Sequence, residues 1–138
     1  MGARIVLGVA LMLAGIGSGS VAAGHDAHSR GLQWAVVYLA TPTLIGSTIV
    51  QGPVLFSHDA AKMARGEPCT TIRLLDPRSG PIDEVASFHC LPRPDEPPHR
   101  FTLTTRPNVA DGFGCVLTAY QFAGDPEVHG VPGANVAH

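Results

Sequence analysis

Charged side chains are scarce in this chain. Asp, Glu, Lys and Arg make up 14% of its residues, against about a quarter in ordinary globular domains. Basic residues gather nowhere, so nothing offers the electrostatic footprint that nucleic acid requires. No acidic run marks a solvating tail, and no internal repeat is present. The familiar signatures of chemistry are missing too. The sequence has no zinc-finger spacing, no HExxH, no C-x-x-C-H haem attachment, no Gly-rich phosphate loop and no G-x-S-x-G elbow. Ser57, His58 and Asp59 adjoin, but neighbours in a strand point opposite ways and do not make a hydrolytic triad. No residue set is assigned to catalysis, and the balance favours a binding domain over an enzyme.

The first residues have a clear layout. Arg4 is followed by the uncharged apolar run IVLGVALMLAGI from Ile5 to Ile16, then by the small residues SGSVAAG. This is the three-part pattern of a secretory signal, with cleavage expected after Ala22 or Ala23. The run is shorter than the ~20 residues that span a bilayer. A secreted or periplasmic protein is therefore expected, with no membrane span in its mature part. Loss of Arg4 leaves eight basic against eleven acidic residues, a mild net charge of −3. A second apolar stretch, from Leu32 to Val50, is interrupted by Pro42, Gly46, Gln33 and several Thr and Ser. It reads as two buried strands around a turn.

Twelve Pro and sixteen Gly imply many turns between short elements. Residues 23–30 (AGHDAHSR) read as a loose start. WAVVYL (Trp34 to Leu39) and STIVQGPVLFSH (Ser47 to His58) read as strands, the second broken at Gly52-Pro53. Asp59 caps a helical turn over Ala60 to Arg65 that Gly66 ends. CTTIRLL with EVASFHCL, and RFTLTT with CVLTAYQF, form two hairpins joined by the stiff connector PRPDEPP. The expected fold is all-β: a small antiparallel sandwich or barrel over 31–123 with one short helical turn, then an irregular tail over 124–138.

Three cysteines in an exported protein imply one disulfide and one thiol left over. A loop centred between Ser79 and Gly80 sets Thr71 opposite Phe88 and Cys69 opposite Cys90, so Cys69–Cys90 is the expected disulfide. A one-residue slip would undo that pairing, and Cys90–Cys115 stays open as the alternative. Cys115, the odd cysteine, is either an inert buried thiol or a reactive one.

Seven histidines are the most unusual count in the chain. If cleavage leaves Ala23 first, His25 is third, and its imidazole with the amine and two amides can surround Cu(II) or Ni(II) in a square plane. A second candidate site combines His58, Asp59, Met63, His89 and His129, drawn from strand ends and the helical turn, where loops gather. His58 and His89 are its expected core. Imidazole with thioether favours copper, and imidazole with carboxylate favours zinc. Each member also has an ordinary role: Asp59 as a helix cap, Met63 in the core, His89 as a half-buried strand residue.

The segments FSHDAAKMARGEPCTT, SFHCLPR and YQFAGDPEVHGVP resemble those of a group of uncharacterised secreted bacterial proteins of similar length. The resemblance runs from Val50 to Pro132. It implies a bacterial, exported, single-domain protein and carries no activity. The expected function is ligand or metal binding, with copper or zinc as the ion. The alternative is a domain that binds another protein through a sheet edge or the Pro-rich connector.

Overall fold

A computed structural model describes residues 31–134. The expected leader, residues 1–22, and His25 lie outside them. Eight strands and one helical turn follow in order: β1 (Leu32–Ile45), β2 (Thr48–Asp59), α1 (Ala60–Ala64), β3 (Thr70–Asp76), β4 (Gly80–Phe88), β5 (Leu91–Pro94), β6 (Thr102–Pro107), β7 (Cys115–Gln121) and β8 (Glu127–Gly130). The domain is all-β, as its alternating apolar residues and dense turn formers imply. Two strands exceed the expectation. Pro92 and Pro94 of the connector belong to β5, and the segment after Gly124, read as irregular, contains β8. Both are only four residues long, too short for a period to show. Among the described residues, no helix is long and apolar enough to cross a membrane.

The strands form one curled sheet in the order β4-β3-β2-β1-β7-β8-β5, with β6 also paired to β7. All pairs are antiparallel except β1 with β7, which meet in parallel at Thr43–Cys115 and Leu44–Val116. β8 takes over beside β7 further on, at Ala119 and Tyr120. The far end of β1 and the short β8 thus share one edge of β7. This curl brings the inner face of β2 towards β8. Gly114 makes the approach to β7 possible: a Cβ there would lie 2.3 Å from the Pro42 carbonyl oxygen, and its φ is +73°.

β2 does not break at Gly52-Pro53. It runs through, and the irregularity lies on its partner, between Leu39 and Thr43 of β1. The β3–β4 hairpin is present, but in a different register from the expected one: Thr70, not Thr71, faces Phe88. The turn centres on Arg78, whose N–H donates to Asp76 Oδ1 at 2.7 Å, and Asp76 faces Gly80. Two irregularities, between Ile72 and Arg73 and between Arg73 and Leu75, then add residues on the β4 side. Bulges of this kind are not visible to a count made outward from the loop.

The core follows from strand alternation. Val54, Phe56 and His58 point inward along β2, and all three are buried. Phe56 packs against Phe101 and Tyr120, with ring centroids 5.2 and 5.5 Å away. On β1 the outward set is Leu32, Trp34, Val36 and Tyr38, each more than half exposed. Gln33 lies between the first two and points inward.

Candidate metal centre

The inward stripe of β2 ends on an imidazole. His58 is 2% exposed and continues the line of Val54 and Phe56. Across the curl, His129 of β8 is 1% exposed and faces Tyr120 in register. The two imidazole centroids are 4.3 Å apart. Cys69 sits just before β3, tied by its N–H to the Phe88 carbonyl at 3.1 Å, while its own carbonyl accepts the Asp59 N–H at 2.9 Å. Cys90 lies where β4 gives way to β5. Both cysteines are buried.

Cys90 Sγ is the hub. Around it lie Cys69 Sγ at 3.3 Å, His129 Nδ1 at 3.4 Å, His58 Nε2 at 3.6 Å and Met63 Sδ at 3.7 Å. Donors on one tetrahedral ion, at 2.0–2.3 Å from it, stand about 3.4–3.8 Å from one another. Each of these separations from Cys90 fits two donors on one ion; His129, though near Cys90, is not among the residues whose donor atoms are all mutually close. The donor atoms of His58, Cys69 and Cys90 all lie within 4.8 Å of one another.

The expected disulfide is not formed. Cys69 and Cys90 are free thiols 3.3 Å apart, where a disulfide needs about 2.05 Å. The register slip explains this. The cysteines are not directly opposed; instead the Cys90 N–H donates to Cys69 Sγ at 3.3 Å. Nor is Cys115 linked to Cys90: it is free, with its sulfur 3.3 Å from Thr43 Oγ1.

The two thiols are electrostatically unequal. Cys69 is held well below the ordinary thiol range by its hydrogen bond with Cys90, against the effect of burial and with help from His58. Cys90 is pushed up, first by the same hydrogen bond and then by burial. Thiols bind metal in their deprotonated form, so an ion held here would release protons.

His129 is oriented by a second layer. Its Nε2 lies 3.2 Å from Asp125 Oδ2. Burial alone would raise the Asp125 pKa, but hydrogen bonds from His129, the Glu127 N–H and Gln33 outweigh it and hold the group below the ordinary carboxylate range. Gln33 Nε2 donates to Oδ2 at 3.1 Å, and the Glu127 N–H to Oδ1 at 3.0 Å. A carboxylate facing Nε2 assigns the proton to that nitrogen and leaves the Nδ1 lone pair towards Cys90. This carboxylate–histidine arrangement is common behind metal ligands. Tyr120 stacks on His129 with centroids 5.1 Å apart and planes 18° apart, and its hydroxyl is hydrogen-bonded to Thr70. Burial, its largest influence, raises the Tyr120 pKa, so it remains a phenol.

Asp125→Asn tests this layer. An amide cannot fix the tautomer as a carboxylate does, so affinity for the ion is expected to fall about 10–100-fold. Competition against a chromophoric chelator measures the change, and near-identical melting of the metal-free proteins would show that the fold is kept.

His58 differs from His129. Its Nδ1 is the one buried side-chain nitrogen or oxygen without a hydrogen-bond partner among the described residues. An unsatisfied buried polar atom costs about 1–3 kcal/mol, while the ring's other nitrogen, Nε2, lies 3.6 Å from Cys90 Sγ.

Two expected members, His89 and Asp59, do not join the group. His89 Nδ1 lies 2.8 Å from the Cys90 carbonyl oxygen, and His89 does not share the site with His58. Register is again the reason: with Thr70 facing Phe88, the chain turns at His89 and brings Cys90 inward in its place. Asp59 is occupied as the cap of α1, its Oδ1 accepting the N–H groups of Ala61 at 2.9 Å and Lys62 at 3.2 Å. His25 precedes the described residues. His58, Met63 and His129 do lie together, joined by the two cysteines that sequence reasoning had reserved for a disulfide. The available signal was the phase of His58 with Val54 and Phe56, which places it inside. No protein-family model matches the chain, and no curated protein or solved structure shows a similarity to it.

Proposed function

We propose that this is an exported domain that binds one thiolate-seeking metal ion through Cys69, Cys90 and His58, with His129 held ready as a further ligand. One observation carries the reading: Cys90 Sγ is surrounded by sulfur and nitrogen donors at 3.3–3.7 Å inside the core. Export rests on the leader pattern of residues 1–22. Structural sites for such ions are closed and stabilise the fold, and four of the five donors here are buried.

The test is a titration of the mature chain, made without a histidine tag and kept reduced. Binding is expected to saturate at one ion per chain. At a hundredfold excess over Kd the ion adds about 2.7 kcal/mol, which raises the melting temperature of a domain this size by about 10–20 °C. If zinc and copper(I) both leave the melting temperature where it was, the reading is wrong. The second reading, a domain that binds another protein, draws on the exposed apolar row Leu32, Trp34, Val36 and Tyr38.

A further inference from the structure

The nature of the ion follows from which donors reach the centre and which are turned away. Among the described residues, the donors gathered round Cys90 are sulfur and nitrogen. Asp59 is spent on the start of α1, and Asp125 is engaged by His129, Gln33 and Glu127. Such a sulfur and nitrogen set suits thiolate-seeking ions rather than cations that require oxygen ligands. Zinc and copper(I) both accept thiolate and imidazole, and between these two the thioether discriminates. Zinc sites are built from Cys, His, Asp and Glu, whereas thioether sulfur selects copper(I).

Met63 brings that thioether to the centre. Its Sδ lies 3.7 Å from Cys90 Sγ, the separation expected of two sulfurs on one ion. Its placement comes from a short, well-anchored element. Asp59 caps α1, and the Ala60 N–H donates to the Gly31 carbonyl at 3.1 Å, so the start of the single helical turn is fixed. Met63 also differs from its companions in exposure. His58, Cys69, Cys90 and His129 are at most 3% exposed, while Met63 is half-buried and its neighbours Ala61, Lys62, Ala64 and Arg65 are exposed. The thioether therefore stands between solvent and the thiols.

We infer that the ion is copper(I) and that Met63 is its solvent-facing thioether ligand. This rests on the metal-binding reading and adds the identity of the ion. Entry is a ligand exchange: copper(I) leaves a soft ligand in solution and is taken by Met63, Cys69 and Cys90, and the protons of any thiols it binds pass to solvent. The metal keeps its oxidation state throughout.

Met63→Leu keeps the volume and removes the sulfur. Copper(I) affinity is measured anaerobically by competition with a chromophoric copper(I) chelator, and zinc affinity in parallel with a zinc chelator. X-ray absorption at the copper edge counts the sulfur neighbours. In the parent protein copper(I) is expected to bind more tightly than zinc. In Met63→Leu copper(I) affinity is expected to fall roughly tenfold or more, as when a supporting group of a metal site is removed, with one sulfur lost from the copper spectrum and zinc affinity unchanged. An unchanged copper(I) affinity, or an equal fall for both ions, overturns the assignment while leaving a metal site in place. Failure of the parent protein to bind either ion overturns the metal-binding reading itself.

Discussion

Cys90→Ala is expected to reduce metal affinity by two to three orders of magnitude. Apparent binding free energies of closed thiolate–imidazole sites are about 10–16 kcal/mol, so each of about four ligands accounts for roughly 3–4 kcal/mol, and every 1.4 kcal/mol is tenfold. Cys90 is the residue to which this applies most fully. Its sulfur alone lies within 3.7 Å of Cys69, His58, His129 and Met63. Its removal leaves donors without a common centre. It also deprives Cys69 of the hydrogen bond that most favours its thiolate. Isothermal titration of the reduced variant, beside thermal melting of both metal-free proteins, separates lost ligation from lost fold. Binding within tenfold of the parent would mean that the ion is held elsewhere.

Phe56→Ala is expected to destabilise the metal-free domain by about 3–5 kcal/mol, the range for removing a buried aromatic ring. Phe56 is fully buried, and its ring meets Phe101 and Tyr120. Domains of this size are stable by only about 5–15 kcal/mol, so the loss takes a large share. It also reaches the metal centre, because Tyr120 both stacks on His129 and is hydrogen-bonded to Thr70 beside Cys69. Urea unfolding followed by circular dichroism measures the change. Added metal should recover part of it, since an ion that binds only the folded chain pulls the equilibrium back. A loss below about 1 kcal/mol would be inconsistent with this aromatic cluster being the centre of the core.

The legible parts of this fold were those with local causes. Alternation and β-branched residues marked β1, β2, β3, β4, β6 and β7, and Asp59 with Gly66 bracketed the helical turn that the structure contains. What escaped depended on register and on contacts distant in sequence. Two irregularities in one hairpin moved Thr70 opposite Phe88 and exchanged His89 for Cys90 at the centre. β8 is held by β5 and β7 rather than by a period of its own. The support of His129 by Asp125 and Gln33 joins residues 92 positions apart in one contact, which no local pattern encodes. The cysteines were misassigned because an exported protein invites a disulfide, while two thiols beside two imidazoles make a ligand set.

The outward row of β1 has a spectroscopic consequence. Trp34 is the chain's single tryptophan and is 67% exposed. Its indole is therefore a solvated chromophore in the native state, open to a dissolved quencher before any unfolding. The next residue back, Gln33, turns inward and bonds to Asp125 behind His129. Adjacent positions on one strand thus serve two separate surroundings. Intrinsic tryptophan emission reads what covers the outside of the sheet, while a metal bound as proposed would add a thiolate charge-transfer absorption that reads the inside, so the two faces of β1 would carry separate optical labels without modification of the protein.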